Sequence, residues 1–202
     1  MKTILHLNSS IYGENGQSSR LAADFVRRFP EARVISRDLA AEPLPHLDAG
    51  RFGAFLAKPE ARTPAQKAVV AQSDALIAEL RAADTIVLGL PMYNFGAPSQ
   101  LKAYFDHVAR AGVTFRYTAS GPEGLLTGKK AYVFAARGGL YAGTARDTQT
   151  AYVRDFLAFL GVTDVAFVYA EGLAVSEESR DRSLAAARRA LGSLVQPEAL
   201  AA

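Results

Sequence analysis

The sequence predicts an α/β three-layer sandwich, with a five-stranded parallel sheet and helices on both faces. Two patterns and a length predict it. Five short apolar runs alternate with segments of helical periodicity. The central run, DTIVLGL, is apolar at successive positions rather than at every second one, as strands covered on both faces are. The chain has 202 residues, 50% of them hydrophobic, which suits one domain over 1–202 with one sizeable core.

The elements follow in order. Residues 3–7 (TILHL) form the first strand. Residues 17–29 carry Leu21, Phe25, Val26 and Phe29 at helical spacing. A second strand spans 33–37, where VIS is flanked by arginines. Residues 41–62 are rich in Pro, Ala and Gly with weak periodicity, so a long connection with a short helix is expected. An amphipathic helix covers 64–80, and the central strand 84–90 follows it. Residues 99–111 read as a helix, and the glycine-bearing, β-branched stretch 112–128 as a loose hairpin. KAYVFAA (130–136) is the fourth strand. A helix over 148–160 ends at Gly161, a C-terminal cap, and the fifth strand spans 163–169. Ser176 caps the last helix, 176–194, and the tail 196–202 is expected to fray.

Composition narrows the function. There is no cysteine, hence no disulfide and no thiolate metal site, and three histidines argue against a zinc cage; no metal is expected. The formal net charge is +3, but Lys and Arg are scattered with no run longer than two, which argues against nucleic acid as a partner. No apolar run approaches the ~18 residues a membrane span needs. The apolar stretch in residues 1–10 is too short for a signal peptide and lacks a cleavage site, so a cytoplasmic protein is expected.

Right-handed crossovers point to the flavodoxin-like strand order 2-1-3-4-5, in which ligands bind at the carboxyl ends of the strands near the switch point. The loops after strands one, three and four are all unusual. The first, NSSIYGENGQSSR over 8–20, is rich in serine and glycine and opens a helix, an anion site in which Ser10, Gln17, Ser18 and Ser19 would cradle a phosphate monoester. Neither GxGxxG nor GxxxxGK[ST] is present. Read alone, the loop is equally a polar turn with Ser18 as helix cap.

The second loop is LPMYNFGAPSQLK, 90–102. Pro91 and Pro98 stiffen it, and Met92, Tyr93 and Phe95 at a strand end need something flat to cover them. Asn94 can hydrogen-bond a ring edge. A flavin isoalloxazine needs such an apolar bed with a few polar contacts. The third loop runs from Ala136 through Arg137, Gly138, Gly139 and Leu140 to Tyr141; its glycine N–H groups would meet the flavin edge where charge gathers on reduction.

Together these motifs resemble the FMN-dependent NADH:quinone reductases that double as azoreductases. The resemblance covers nearly the whole chain and rests on the serine-rich loop, PMYNFGAPSQLK (91–102), ARAGVTFRYTASGPEGLLTGKK (109–130), the RGG turn and FLGVTDVAFVYAEG (159–172). It implies a flavodoxin-like homodimer holding FMN, which reduces quinones and, more slowly, azo compounds with NADH or NADPH by a ping-pong route. It also implies FMN contacts at Ser10, Gly16, Gln17, Ser18, Met92, Tyr93, Asn94, Phe95, Ala136, Arg137, Gly138 and Gly139, with Ser19 and Pro91 beside them. Tyr117 and Phe159 resemble aromatics that line the acceptor pocket, with Tyr141 nearby; Phe159 also fits core packing. Two positions depart from the family pattern. Ala136 stands where serine is common, which removes a hydroxyl contact, and Gly16 does likewise, which shifts phosphate binding toward Ser18 and Ser19. No side chain is needed as a catalytic acid or base, because the flavin performs the chemistry. Asp38, Asp48 and Glu123 form no acid–base pair. His6 is expected to be buried and satisfied, and His107 to lie at the surface. A strongly acidic electron-carrier flavodoxin is the rival reading, and the basic charge disfavours it.

Overall fold

The computed structural model describes residues 1–194. In chain order it contains β1 (Thr3–Asn8), α1 (Gln17–Val26), β2 (Arg33–Asp38), α2 (Ala49–Leu56), α3 (Pro64–Ala82), β3 (Thr85–Pro91) and α4 (Ser99–Val108). The hairpin strands β4 (Phe115–Thr118) and β5 (Gly121–Gly124) follow, then β6 (Lys130–Ala136), α5 (Thr150–Phe159), β7 (Asp164–Ala170) and α6 (Glu177–Leu194). The sheet runs β2-β1-β3-β6-β7, all pairs parallel, which is the order 2-1-3-4-5 once the separate hairpin is set aside. Leu7, Leu88, Val133 and Phe167 lie in one row across it.

Two cores follow from the two faces. On one, Leu5, Leu7, Ile86, Leu88 and Val133 pack under Leu76, Ile77 and Leu80 of α3, Tyr104 and Phe105 of α4, and Val153 and Leu157 of α5. On the other, Ile4, Val87, Tyr132, Phe134 and Val168 meet Leu21 and Phe25 of α1 and Leu184, Ala187 and Leu191 of α6. Phe25 is fully buried, with its ring 4.5 Å from Tyr132 and 5.3 Å from Phe134. Truncating such a ring costs about 3–5 kcal/mol.

Local chemistry sets the helix ends. Thr63 and Gln66 form a reciprocal capping box on α3, with Pro64 in the first turn. Lys129 Nζ closes its other end on the Arg81 and Ala83 carbonyls. Asp48 caps α2, the short helix inside the long connection. Ser176 Oγ accepts the Ser179 N–H at the start of α6. Other ends fall inside the sequence expectation: α1 stops at Val26, α4 at Val108, and α5 begins at Thr150. The expectation for 196–202 lies outside the described residues. Among the described residues no helix is long and apolar enough to cross a membrane.

The hairpin is docked rather than loose. A Cβ on Gly124 would lie 2.0 Å from the Gly161 nitrogen, so the two glycine backbones are in direct contact, and Gly161 sits at φ +103° just past α5. The Leu126 N–H bonds the Leu160 carbonyl at 2.8 Å. Phe115 and Leu126 are buried, and Tyr117 and Leu125 are the large exposed hydrophobics of this segment.

Both histidine expectations need correction. His6 is partly buried, but its Nε2 has no partner among the described residues, and burial lowers its pKa, partly offset by Asp38. His107 is fully buried rather than at the surface: α2 covers that face of α4, with the Phe55 ring 6.5 Å away. Its Nδ1 lies 2.8 Å from the Ala103 carbonyl.

Candidate functional site

The loops after β1, β3 and β6 meet at the carboxyl end of the sheet, with that of β3 in the middle. The first is braced by Asn8, at the end of β1. Its Nδ2 donates to Asp38 at 3.0 Å, and its Oδ1 accepts from the Ser10 N–H and the Ser19 hydroxyl. Ser9 Oγ donates to the Gly89 carbonyl at 2.7 Å. Gly16 lies so close to Ser10 that a Cβ there would stand 2.2 Å from Ser10 Oγ, so any side chain at this position requires Ser10 to move. The first intrahelical bond of α1 is made by the Arg20 N–H. The N–H groups of Gln17, Ser18 and Ser19 precede it and have no acceptor among the described residues.

Ser18 is fully buried, and its hydroxyl is also without a partner. Ser19 points elsewhere, to Asn8. Of the expected phosphate-binding hydroxyls, Ser18 is therefore the free one, and Ser10 is shared. Ser10 Oγ accepts the Tyr12 N–H and lies 3.3 Å from Tyr93 Oη. Unpaired buried donors are costly, about 1–3 kcal/mol each, unless a ligand supplies acceptors. Three main-chain donors and one hydroxyl at a helix N-terminus suit a single phosphate monoester.

The second loop contains a tight turn. Tyr93 and Gly96 exchange backbone hydrogen bonds at 3.2 and 2.9 Å, and the residues between them, Asn94 and Phe95, sit at φ +48° and +62°. Positive φ at both central positions is the type I′ pattern that normally selects Asn and Gly. Asn tolerates it; phenylalanine there stores strain of roughly 1–3 kcal/mol. Phe95 is 54% exposed, and its ring edge faces Tyr141 with centroids 5.6 Å apart. Met92 and Tyr93 are half-buried and Pro91 is buried. Tyr93 Oη also accepts the Ile11 N–H, which ties this turn to the first loop.

In the third loop the Ala136 carbonyl accepts the Met92 N–H at 3.0 Å, which couples it to the second. The carbonyls of Gly138 and Gly139 accept from Ala174 and Gly172, whereas their N–H groups have no acceptor among the described residues. Arg137 contributes its backbone to this loop, but its guanidinium turns into the protein. It is fully buried between Asp147 (2.8 Å) and Glu171 (3.0 Å), lies over the Tyr169 ring, and donates to Gln149 and Thr150. Burial raises the Asp147 carboxyl, but bonds from Arg137 and Thr150 outweigh it and hold its pKa below the usual range. Glu171 also accepts the N–H groups of Tyr141 and Ala142.

The hairpin carries Tyr117, 75% exposed, at the end of an aromatic chain: Phe159 lies 4.2 Å from Phe115, and Phe115 is 5.5 Å edge-on to Tyr117. Phe159 is half-buried against the core, so it stands behind Tyr117. Asp38 supports the first loop, Asp48 caps α2, and Glu123 pairs with Arg116. Sequence reasoning missed Asn8, Asp147, Gln149 and Glu171. Among them only Asn8, at a strand end beside the serine-rich loop, carried a local signal.

A family model described as flavodoxin-like fold matches residues 2–195. The FMN-dependent NADH:quinone oxidoreductase 6 of Burkholderia lata is 54% identical over 197 residues, covering 96% of this chain and 100% of that protein. The FMN-dependent NADH:quinone oxidoreductase of Cellvibrio japonicus is 54% identical over 192 residues, covering 93% and 96%. Among solved structures, an azoreductase from Bacillus anthracis superposes with a TM-score of 0.87 at 27% identity over 96% of this chain and 98% of that one. A Bacillus anthracis FMN-dependent NADH-azoreductase in complex with FMN gives 0.85 at 25% identity, over 97% and 100%. With relatives this close along nearly its full length, the chain belongs to the flavodoxin-like family of the FMN-dependent NADH:quinone oxidoreductases.

Proposed function

We propose that this chain holds FMN and carries two electrons from NADH or NADPH to quinones and, more slowly, to azo compounds. One observation carries the reading. Two sets of main-chain donors without acceptors among the described residues, Gln17–Ser19 with the Ser18 hydroxyl and Gly138–Gly139, flank the Met92–Phe95 turn, in which Met92 and Tyr93 are half-buried and Phe95 is exposed. One set suits a phosphate monoester, the turn suits a flat ring, and the other set suits the ring edge that gains negative charge. The absence of GxGxxG, and one anion cradle rather than two, favour FMN over FAD. The names of the 54%-identical relatives support the same choice.

FMN, when bound, would supply the redox chemistry of hydride acceptance from NADH or NADPH and two-electron delivery to the acceptor. The protein's own residues bind, orient and stabilise. Gln17, Ser18 and Ser19 hold the phosphate through N–H groups that need no rearrangement. Met92, Tyr93 and Phe95 offer a bed to one side of the ring system. Asn94, at the exposed tip of the turn, presents an amide to its edge. The Gly138 and Gly139 N–H groups face charge that develops only on reduction, so their contribution falls on the reactive step rather than on binding.

With one side of a bound ring against the turn, NADH and acceptor would use the remaining side in succession, and ping-pong kinetics are expected. An azo bond needs two successive two-electron transfers, which makes it the slower substrate. The exposed Tyr117 and Leu125 on the hairpin, with Phe52 and Leu56 on α2, supply apolar surface for a second copy, and we infer a homodimer. The test of the mechanism is the initial rate against NADH at several fixed benzoquinone concentrations. Parallel double-reciprocal lines are expected; lines that intersect mean a ternary complex and refute the single shared side. Heat-released cofactor identified as FAD would refute the FMN assignment.

A further inference from the structure

Gln149 stands just before α5 and is fully buried. Its carboxamide uses both N–H groups: Nε2 donates to the Pro91 carbonyl at 2.8 Å and to the Gly96 carbonyl at 2.9 Å. Its Oε1 accepts from Arg137 Nε at 3.3 Å. Pro91 and Gly96 bracket the turn in which Asn94 and Phe95 are held at positive φ, and Arg137 leads directly into Gly138 and Gly139. The neighbouring Thr148 hydroxyl donates to the Phe95 carbonyl. One side chain thus grips both flanks of the strained turn and reaches the loop beside it.

We propose that Gln149 is a positioning residue: it holds the 93–96 turn closed and sets its placement against the Gly138–Gly139 N–H pair. The proposal rests on the flavin reading given above. The turn stores strain at Phe95, and a strained backbone persists only where its surroundings over-determine it. The Pro91 carbonyl takes one donor, the Gly96 carbonyl takes a second beside the Tyr93 N–H, and the arginine nitrogen takes an acceptor. An amide supplies all three from one rigid group. Glutamate has the shape and the acceptor but no donor at neutral pH; leucine has neither. Gln149 touches no ligand in this role. It acts through the turn, fixing where the Asn94 amide stands relative to the glycine N–H groups.

The experiment compares wild type, Gln149→Leu and Gln149→Glu as FMN-loaded protein, and wild type, Gln149→Leu, Phe95→Gly and the double variant as apo protein. Both Gln149 variants are expected to release FMN more readily and to shift the visible flavin absorption and circular dichroism bands. Their rate of reduction by NADH should fall about 10- to 100-fold, with little change in KM. In the apo protein, the drop in Tm caused by Gln149→Leu should shrink when Phe95 is already glycine, because less strain remains to be held. Should Gln149→Leu fail to fold, Gln149→Glu, which keeps the bond from Arg137, carries the same test. A lower Tm with native flavin bands, FMN affinity and reduction rate makes Gln149 merely structural and overturns the proposal; so does strict additivity in the apo series. Failure of the wild type itself to bind FMN overturns the flavin reading and the cofactor half of this one, while the apo series still decides the clamp.

Discussion

Gly124→Ala tests the proposal that Tyr117 on the hairpin lines the acceptor pocket. The new methyl carbon would stand 2.0 Å from the Gly161 nitrogen, 2.2 Å from the Leu160 carbonyl carbon and 2.5 Å from the Gly161 Cα. All three are backbone atoms, so no side chain can swing aside. Ordinary contact begins near 3.4 Å, and the hairpin must therefore retreat by about 1.4 Å. That breaks the 2.8 Å bond from Leu126 to Leu160, worth ~1 kcal/mol. It also loosens the 4.2 Å contact of Phe115 with Phe159, and overpacking of this kind costs about 1–3 kcal/mol. The total of ~2–4 kcal/mol lowers Tm by roughly 4–16 °C for a chain of this size. Tyr117 moves with the hairpin, so the KM for quinone should rise, whereas the rate of flavin reduction by NADH measured alone should change little. Thermal unfolding followed by circular dichroism and stopped-flow reduction give the two readouts. Gly53→Ala, in a helix with nothing within 4 Å of the new methyl, is the control and should gain ~0.5–1 kcal/mol. An unchanged Tm for Gly124→Ala, or equal damage to both half-reactions, would refute the reasoning.

Further outcomes follow from other residues. Ser18→Ala removes a hydroxyl that has no partner among the described residues, so apo stability should hold while FMN affinity, measured by fluorescence quenching, falls about fivefold; Ser18→Asp should weaken it further by setting a charge against the phosphate. Arg137→Met leaves Asp147 and Glu171 facing each other without their cation and should cost ~3–5 kcal/mol in chemical denaturation; a loss under 1 kcal/mol contradicts the network. His6 has its pKa lowered by burial, so the unfolded chain binds more protons than the folded one as pH drops through the ordinary value of 6.5. Stability should therefore decline below about pH 6.5, and His6→Leu should flatten that decline in Tm measured between pH 7.5 and 5.5.

The sheet was legible because parallel strands covered on both faces read as continuous apolar runs: KAYVFAA is observed over the same residues, Lys130–Ala136. The loops were legible because position in the fold and odd composition coincide there. Helix ends were less so. The periodicity of 17–29 continues through Phe29, yet α1 ends at Val26, because the apolar face goes on packing after the helix has stopped. His107 looked like a surface residue because nothing near it in sequence indicates that α2 will cover it. Gln149 and Glu171 were invisible for a related reason. Gln149 reaches Pro91 across 58 positions and Glu171 reaches Arg137 across 34, and long-range polar bonds leave no local pattern. Arg137 was read as a cofactor contact in the third loop, and its side chain belongs to the interior.

The donors proposed to face the ligand, at Gln17, Ser18, Ser19, Gly138 and Gly139, are main-chain groups, and this has a consequence for how the protein tolerates change. A backbone N–H survives nearly every point mutation at its own position, so the walls of such a site can drift in side-chain identity while the contacts stay. Vulnerability moves instead to the braces that aim the backbone: Asn8 under the first loop, Gly16 against Ser10, Gln149 behind the turn and Glu171 below Tyr141. A saturation-mutagenesis map of this chain, scored on cofactor retention, should therefore show its deepest intolerance as a ring of positions one layer behind the three loops, with a comparatively permissive rim at Gln17 and Leu140, where a variant library has room to change which acceptors are taken.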